Sequence, residues 1–195
     1  MSTSRVILAS SSPRRAALLR QVGIAFEVTA PRVDEAAIAV RSPVQTALLR
    51  ARAKLAAARK AMTEDTDSAA LVLAADTVVF IGTQRFGKPR SATEAHSIVG
   101  ALAGGSHTVV TACAWSAGGL THELTDTTEV SFLPLSAEQL HAYIATEEWR
   151  GVAGGYRIQG HAAAFISAIN GSYATVMGLP IHRVYTILRP YNETH

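Results

Sequence analysis

Three segments of the chain combine residue types that phosphate chemistry uses. The first is Leu8-Ala-Ser-Ser-Ser-Pro-Arg-Arg15. An apolar run breaks into a serine-rich turn, and Ser12-Pro13 reads as the N-cap and first residue of a helix. Helix N-termini carry partial positive charge and free N–H groups, so Arg14 and Arg15 in the first turn oppose the usual preference for acids there. A bound anion reverses that penalty. Phosphate takes the N–H groups, the Ser10 and Ser12 hydroxyls and the guanidinium forks together. The bland alternative is a capped helix with two solvated arginines. The segment is not a Walker A loop, because Gly-x-x-x-x-Gly-Lys-Ser/Thr is absent.

The second is Asp76, inside an apolar run over residues 71–81. An ionised carboxylate in a strand apolar on both sides requires a partner, and that expense is tolerated mainly at functional sites. Thr77 follows and points to the opposite strand face. A structural carboxylate capping a turn is the competing reading. The third is Gly87-Lys88-Pro89, past the turn Gly82-Thr83. From there Lys88 can return across a hairpin to the strand end that holds Asp76.

Weaker signals surround these. Glu35 follows Asp34 in a loop after Pro31, where surface acid is the default. Lys54 shares a helix side with Ala47, Ala51, Ala58 and Ala61. Neighbours this small let another element approach, which places the ammonium in a cleft. Arg50, Arg52, Arg59 and Lys60 read as the solvated face. In Gly154-Gly-Tyr-Arg-Ile-Gln-Gly160 the glycines allow the backbone to approach a ligand, and Gln159 offers a donor and an acceptor to a nucleobase edge. His107 and His161 read as structural, and Cys113 as core.

The elements that must position these residues mix strand and helix, an α/β (mixed α+β) pattern. Strands are expected over 5–10, 26–30, 71–81, 107–117, 120–132 and 163–169. Helices are expected between Ser12 and Gly23, and over 44–62 with apolar steps at Val44, Leu48, Ala51, Leu55, Ala58 and Met62. Two more start at the capping boxes Ser91-Ala-Thr-Glu94 and Ser136-Ala-Glu-Gln139, the first ending at Gly104-Gly105 and the second at about Ala145. A last helical region runs through Leu188, interrupted at Gly178 and Pro180. Gly118-Gly119 between two strand-like runs signals a hairpin. Residues 63–68 read as an acidic loop and 147–160 as a glycine-rich one.

A length of 195 residues fits one domain spanning 1–195. With 48% hydrophobic and 17% charged residues, intrinsic disorder is excluded. One cysteine excludes a disulfide framework and a Cys-based zinc site, and fits a reducing cytosol. The longest apolar run is far short of a membrane span. The arginine- and serine-rich start superficially resembles a transit peptide, yet residues 6–9 read better as a buried strand. The net charge of +3 hides an asymmetry: residues 1–100 hold 14 Lys/Arg against 8 Asp/Glu, and residues 101–195 hold 4 against 7. The basic excess points to an anionic partner bound by the first half.

Taken in order, residues 8–15, Asp34-Glu35, Lys54, Ala75-Asp-Thr-Val-Val79, Gly87-Lys-Pro89, Ser106-His-Thr-Val109, residues 153–160, and Gly171-Ser-Tyr with Gly178-Leu-Pro180 resemble the Maf family of nucleoside triphosphate pyrophosphatases. The resemblance covers nearly the whole chain. It implies an elongated mixed central β-sheet flanked by helices, with two lobes and a cleft between them, as in the ITPase-like fold. It implies hydrolysis of a nucleoside triphosphate to the monophosphate and pyrophosphate, with a divalent metal, magnesium or manganese. The Pro-Arg-Arg and Tyr-x-Ile-Gln-Gly segments are similar to the subfamily acting on dTTP and UTP. By position, the resemblance makes Asp76 the proton acceptor and gives base specificity to Arg14, Thr77 and Gln159. Ser10, Arg15, Glu35, Lys54 and Lys88 line the phosphate and metal site, with the metal on Glu35 and Asp76. Lys54, Lys88 and Arg15 stabilise charge on the transferring group and the leaving pyrophosphate. A cytoplasmic enzyme, with a homodimer as the family's assembly, is the expectation.

The chain departs from the family at one place. The family often carries Asp-Lys-Ala-Gly where this sequence has Gly151-Val152-Ala153-Gly154. Arg150 and Arg157 are the candidates to replace the missing cation. Three rival readings stand beside the first: the same chemistry on 7-methyl-GTP or modified pyrimidine nucleotides, a non-catalytic nucleotide-binding regulator of cell division, and nonspecific nucleic-acid binding. The aromatic content of 6% argues against the last.

Overall fold

The computed structural model describes residues 5–62 and 70–191. In chain order the elements are β1 (Arg5–Ala9), α1 (Pro13–Gln21), β2 (Glu27–Thr29), α2 (Pro43–Lys60), β3 (Ala70–Ile81), β4 (Gln84–Phe86), α3 (Ala92–Leu102), β5 (Ser106–Ala117), β6 (Leu120–Phe132), α4 (Ala137–Ala145), β7 (Ile166–Asn170), α5 (Tyr173–Met177) and α6 (Ile181–Leu188). The strands form one mixed sheet in the order β2-β1-β3-β5-β6-β7, with β4 also pairing β3. β1 runs parallel to both β2 and β3, and the remaining pairs are antiparallel. The expected acidic loop over 63–68 lies outside the described residues. No helix among the described residues is long and apolar enough to cross a membrane.

β3 is the spine. Its side chains alternate between two apolar clusters, as strand geometry requires. Leu71, Leu73, Ala75 and Val79 join one cluster with α1, α3 and α6, while Val72, Ala74 and Val78 join a second beneath α2. α2 starts at Ser42, whose hydroxyl accepts the Gln45 N–H, with Pro43 in the first turn. Its buried Ala47, Ala51 and Ala58 carry so little bulk that the helix lies close on the sheet. That closeness is what lets a lysine from α2 reach β3.

The local signals are read as expected at most termini. Gly118 and Gly119 both have positive φ, 54° and 79°, and close the two-residue hairpin between β5 and β6. The box at Ser136 is reciprocal, with Gln139 returning the bond to the Ser136 N–H. The one at Ser91 is one-sided: Ser91 accepts the Glu94 N–H, but the Glu94 carboxylate takes the N–H of Arg90 instead. The last strand starts later than the expected 163. Residues His161–Phe165 make a 3-10 turn because Phe165 turns inward, 5.1 Å from the Phe132 ring and 5.2 Å from Tyr143, and only from Ile166 does the chain pair with β6.

His107 is buried in β5, with Nε2 at 2.8 Å from the Tyr156 hydroxyl and its ring edge-on to Phe132. Burial pushes its pKa down to about 4. The unfolded chain takes that proton near pH ~6.5, so the folded state is disfavoured wherever only the unfolded chain is protonated. The stabilisation is complete above about pH 6.5 and falls as pH drops towards about 4, by up to about 3 kcal/mol. Denaturant unfolding of the wild type and His107→Gln tests this. The stability difference between them is expected to shrink as pH falls through that window, and a constant difference overturns the assignment.

Candidate active site

The sheet opens where β1 ends. β1 keeps register with β3 as far as Ala9 opposite Ala74, and β4 takes up the same edge only from Phe86 opposite Val79. Residues 75–78 of β3 therefore face a gap at the carboxyl end of a parallel strand pair, the position where open α/β sheets receive ligands. A cleft of about 190 Å³ fills this gap. Its walls are the turn after β1, the loop carrying Glu35, Lys54 of α2, Lys88, and the segment 151–159. Asp76 and Thr77 both line it, yet they approach from opposite faces of β3.

On the α2 side lies a charge cluster. Lys54 Nζ donates to Asp76 Oδ1 at 2.6 Å and stands 2.8 Å from Glu35 Oε1. Lys88 Nζ is 3.5 Å from Glu35 Oε2. Burial alone pushes the Glu35 carboxyl up, but Lys54 and Lys88 override it and hold the pKa at about 2. Asp76 is 4% exposed, and its Oδ2 is buried without a hydrogen-bond partner among the described residues.

Arg50 corrects the expected solvated face. Its guanidinium stands 3.9 Å from Asp76 Oδ2, and its Nε donates to the Ile38 carbonyl at 2.9 Å, which ties the Glu35 loop to α2. The signal was present in the sequence: Arg50 precedes Lys54 by four residues, so the two share a helix side. Arg52 does lie at the surface, in an ion pair with Glu123. Asp34 stays out of the cleft lining and closes a turn, its Oδ1 accepting from the Ala36 and Ala37 N–H groups.

On the other side Arg15 is buried as a strut. It donates Nε to the Gly178 carbonyl at 2.7 Å, one terminal nitrogen to Ser10 Oγ at 2.9 Å and the other to Thr77 Oγ1 at 3.1 Å. The expected Ser12 cap is not made; Ser10 Oγ instead accepts the Ser12 N–H. Arg14 borders the open cleft, and its pKa is pushed down to about 10 by burial and then by Arg15 and Arg157 nearby. An anion between these guanidiniums relieves that crowding.

Of the two candidates for the missing cation, the fold brings Arg157 to the cleft. Its Nε is buried without a hydrogen-bond partner among the described residues. Arg150 turns away to Glu147 and lies over the Trp149 ring. Val152 is buried in the wall, and Gln159 is exposed at its rim. Gly154 and Gly155 approach protein where a ligand was expected. A Cβ on Gly154 falls 3.0 Å from Val79 and one on Gly155 falls 3.1 Å from Pro89, at φ of 74° and 67°. These contacts dock the segment onto β3 and onto Gly87-Lys88-Pro89, and so hold Lys88 and Gln159 on one cleft.

Every residue singled out for chemistry thus meets here: Ser10, Arg14, Arg15, Glu35, Lys54, Asp76, Thr77, Lys88 and Gln159. With Arg157, five cations face two carboxylates, a surplus that suits a polyphosphate. Among the described residues no three His, Cys, Asp or Glu gather into a metal cluster. Glu35 and Asp76 are the carboxylates that could hold a divalent cation here, an oxygen donor set of the kind that suits magnesium.

The sequence model of the family described as Maf-like protein matches residues 5–191. A dTTP/UTP pyrophosphatase of Symbiobacterium thermophilum is 44% identical over 187 residues, which is 96% of this chain and 94% of its own. A dTTP/UTP pyrophosphatase of Aquifex aeolicus is 42% identical, with 96% of each chain covered. A nucleoside triphosphate pyrophosphatase of Anaplasma marginale is 40% identical over 95% of this chain and 93% of its own. Among solved structures, the Ham1 protein of Staphylococcus aureus aligns with 66% of this chain and 71% of its own at 13% identity and a TM-score of 0.41, too slight a likeness to inform the fold.

The cluster makes a stability prediction of its own. Lys54→Met leaves two carboxylates facing each other, one of them buried. Stability near neutral pH is expected to fall by about 3–5 kcal/mol, and to recover in part below pH ~5 as one carboxylate takes a proton. Denaturant unfolding at the two pH values reads this. Adding Asp76→Asn to Lys54→Met restores most of the loss if the unpaired charge is its cause.

Proposed function

The chain belongs to the Maf-like family, and from that premise we propose that its cleft hydrolyses dTTP and UTP to the monophosphate and pyrophosphate. The observation that carries this reading is the Asp76 carboxylate. One of its oxygens is held by Lys54 and the other accepts no hydrogen bond, with the Arg50 guanidinium 3.9 Å away, at the floor of a cleft whose walls are cationic.

In this reading water attacks the α-phosphorus and pyrophosphate leaves. Asp76 Oδ2 accepts the proton of that water, while Lys54 on Oδ1 keeps the carboxylate from turning. Lys54, Lys88 and Arg157 face the negative charge that develops on the transferring phosphoryl group and the departing pyrophosphate. Ser10 and Thr77 are held in place by Arg15 from behind. Glu35 and Asp76 would hold a divalent cation, which when bound would withdraw charge from phosphate oxygens. Arg14, Thr77 and Gln159 contact the base.

The partner in this reading is the free nucleotide. We place the enzyme in the cytoplasm. A chain with one cysteine, and so no disulfide framework, fits that compartment.

Asp76→Asn is expected to lower kcat for dTTP by about 10²–10⁴ with the fold intact, since Glu35 still pairs Lys54 at 2.8 Å. Pyrophosphate release is the measurement, and near-normal turnover removes the central assignment. Across dTTP, UTP, CTP and 7-methyl-GTP, release is expected fastest from the first two in the presence of manganese and to vanish with a chelator.

A further inference from the structure

A row of polar side chains runs from the cleft into the sheet. Thr77, Thr111 and Asp126 are direct neighbours in register across β3, β5 and β6. Residues aligned in this way share one sheet face. α5 covers the row, and its Thr175 hydroxyl donates to Asp126 Oδ2. Thr111 and Thr175 are fully buried, and Thr111 does not line the cleft.

The direction of each hydrogen bond along this row follows from the chemistry of its ends. Thr111 Oγ1 lies 2.7 Å from the Thr175 carbonyl oxygen, which can only accept, so the single Thr111 proton points there. Thr77 Oγ1 lies 2.9 Å from Thr111 Oγ1, and with the Thr111 proton already placed, Thr77 must be the donor. Arg15 can only donate, and it occupies one lone pair of Thr77 Oγ1 at 3.1 Å. One lone pair remains. Thr77, half-buried in the cleft wall, can therefore accept one more hydrogen bond there and donate none.

We propose that Thr111 is a positioning residue for base preference: by taking the Thr77 proton, it makes Thr77 an acceptor-only reader of the base. This rests on the reading of the cleft as a nucleoside triphosphate site. Uracil and thymine present a ring N–H between two carbonyl oxygens, whereas cytosine presents a bare ring nitrogen at that place. An acceptor-only hydroxyl takes the first and meets the second lone pair to lone pair. Arg14, also in the cleft lining, is donor-only and suits a carbonyl oxygen, while the Gln159 amide can turn over and serve either base. Thr77 is thus the group whose polarity the fold fixes towards uracil and thymine.

The test measures kcat/KM for UTP and CTP by pyrophosphate release in the wild type, Thr111→Val and Thr111→Ser, with thermal unfolding alongside. The wild type favours UTP. Thr111→Val keeps the shape and frees the Thr77 proton, so the UTP-to-CTP ratio is expected to narrow by about tenfold or more. Thr111→Ser keeps the hydroxyl and the ratio. An unchanged ratio in folded Thr111→Val overturns the proposal, as does a serine variant that narrows it equally. Where Thr111→Val does not fold, Thr77→Ser and Thr77→Val decide: the serine must hold the ratio and the valine must lose it. Release from neither nucleotide by the wild type overturns the reading of the cleft and the proposal with it, while equal hydrolysis of UTP and CTP overturns the proposal and the preference for uracil and thymine but leaves the pyrophosphatase reading standing.

Discussion

The ion pair between Lys54 of α2 and Asp76 of β3, 2.6 Å apart and both nearly excluded from water, is the constraint that organises the molecule. Each charge buried alone is strongly disfavoured, so helix and strand are obliged to face each other in one register. The alanines of α2 make the approach possible, and the apolar run of β3 makes it necessary to seat the carboxylate against something. Glu35 joins as a third member because the same ammonium serves both acids at 2.6 and 2.8 Å. A surface loop is thereby drawn onto the sheet, with Arg50 fastening it from behind.

The gap in the edge of β3 converts this local tension into a site. Strand alternation sends Asp76 to one face and Thr77 to the other, while the missing neighbour between Ala74 and Val79 opens both to one cleft. Two adjacent residues therefore meet different surroundings. The Asp76 face gathers carboxylates and ammonium groups, which suits phosphate chemistry. The Thr77 face is hydroxyls and backbone carbonyl groups held by a buried guanidinium, which suits recognition through fixed hydrogen-bond polarity. Arg15 joins the turn after β1, β3 and the end of α5 through its three contacts, so the Thr77 side of the cleft is tied to the sheet.

Much of this was legible in advance because it depends on local chemistry. The hairpin at Gly118-Gly119, the reciprocal cap at Ser136 and the apolar strand interrupted by one acid are each encoded within a few residues. The misreadings share a cause. The sequence points Arg50 to solvent because a helix face is polar or buried only relative to what packs on it, and a loop from earlier in the chain lies there. The glycines at 154 and 155 were matched to a ligand, but the close approach they permit is to Val79 and Pro89. The start of β7 shifted because Phe165 found aromatic partners that no local pattern reveals.

What the sequence determined by itself is the set of chemical groups and the periodicities that place each on a strand, a helix or a turn: an acid within a buried strand, cations at a helix start, and a lysine among alanines. These follow from side-chain chemistry and backbone geometry over a few residues. The tertiary structure alone decided which groups meet. It chose Arg157 over Arg150 as the extra cation, left Asp34 outside and brought Glu35 in, and lined up Thr77, Thr111 and Asp126 from three strands. Contacts between residues tens of positions apart depend on register and on the order of strands in the sheet, and these are set by packing the whole core at once.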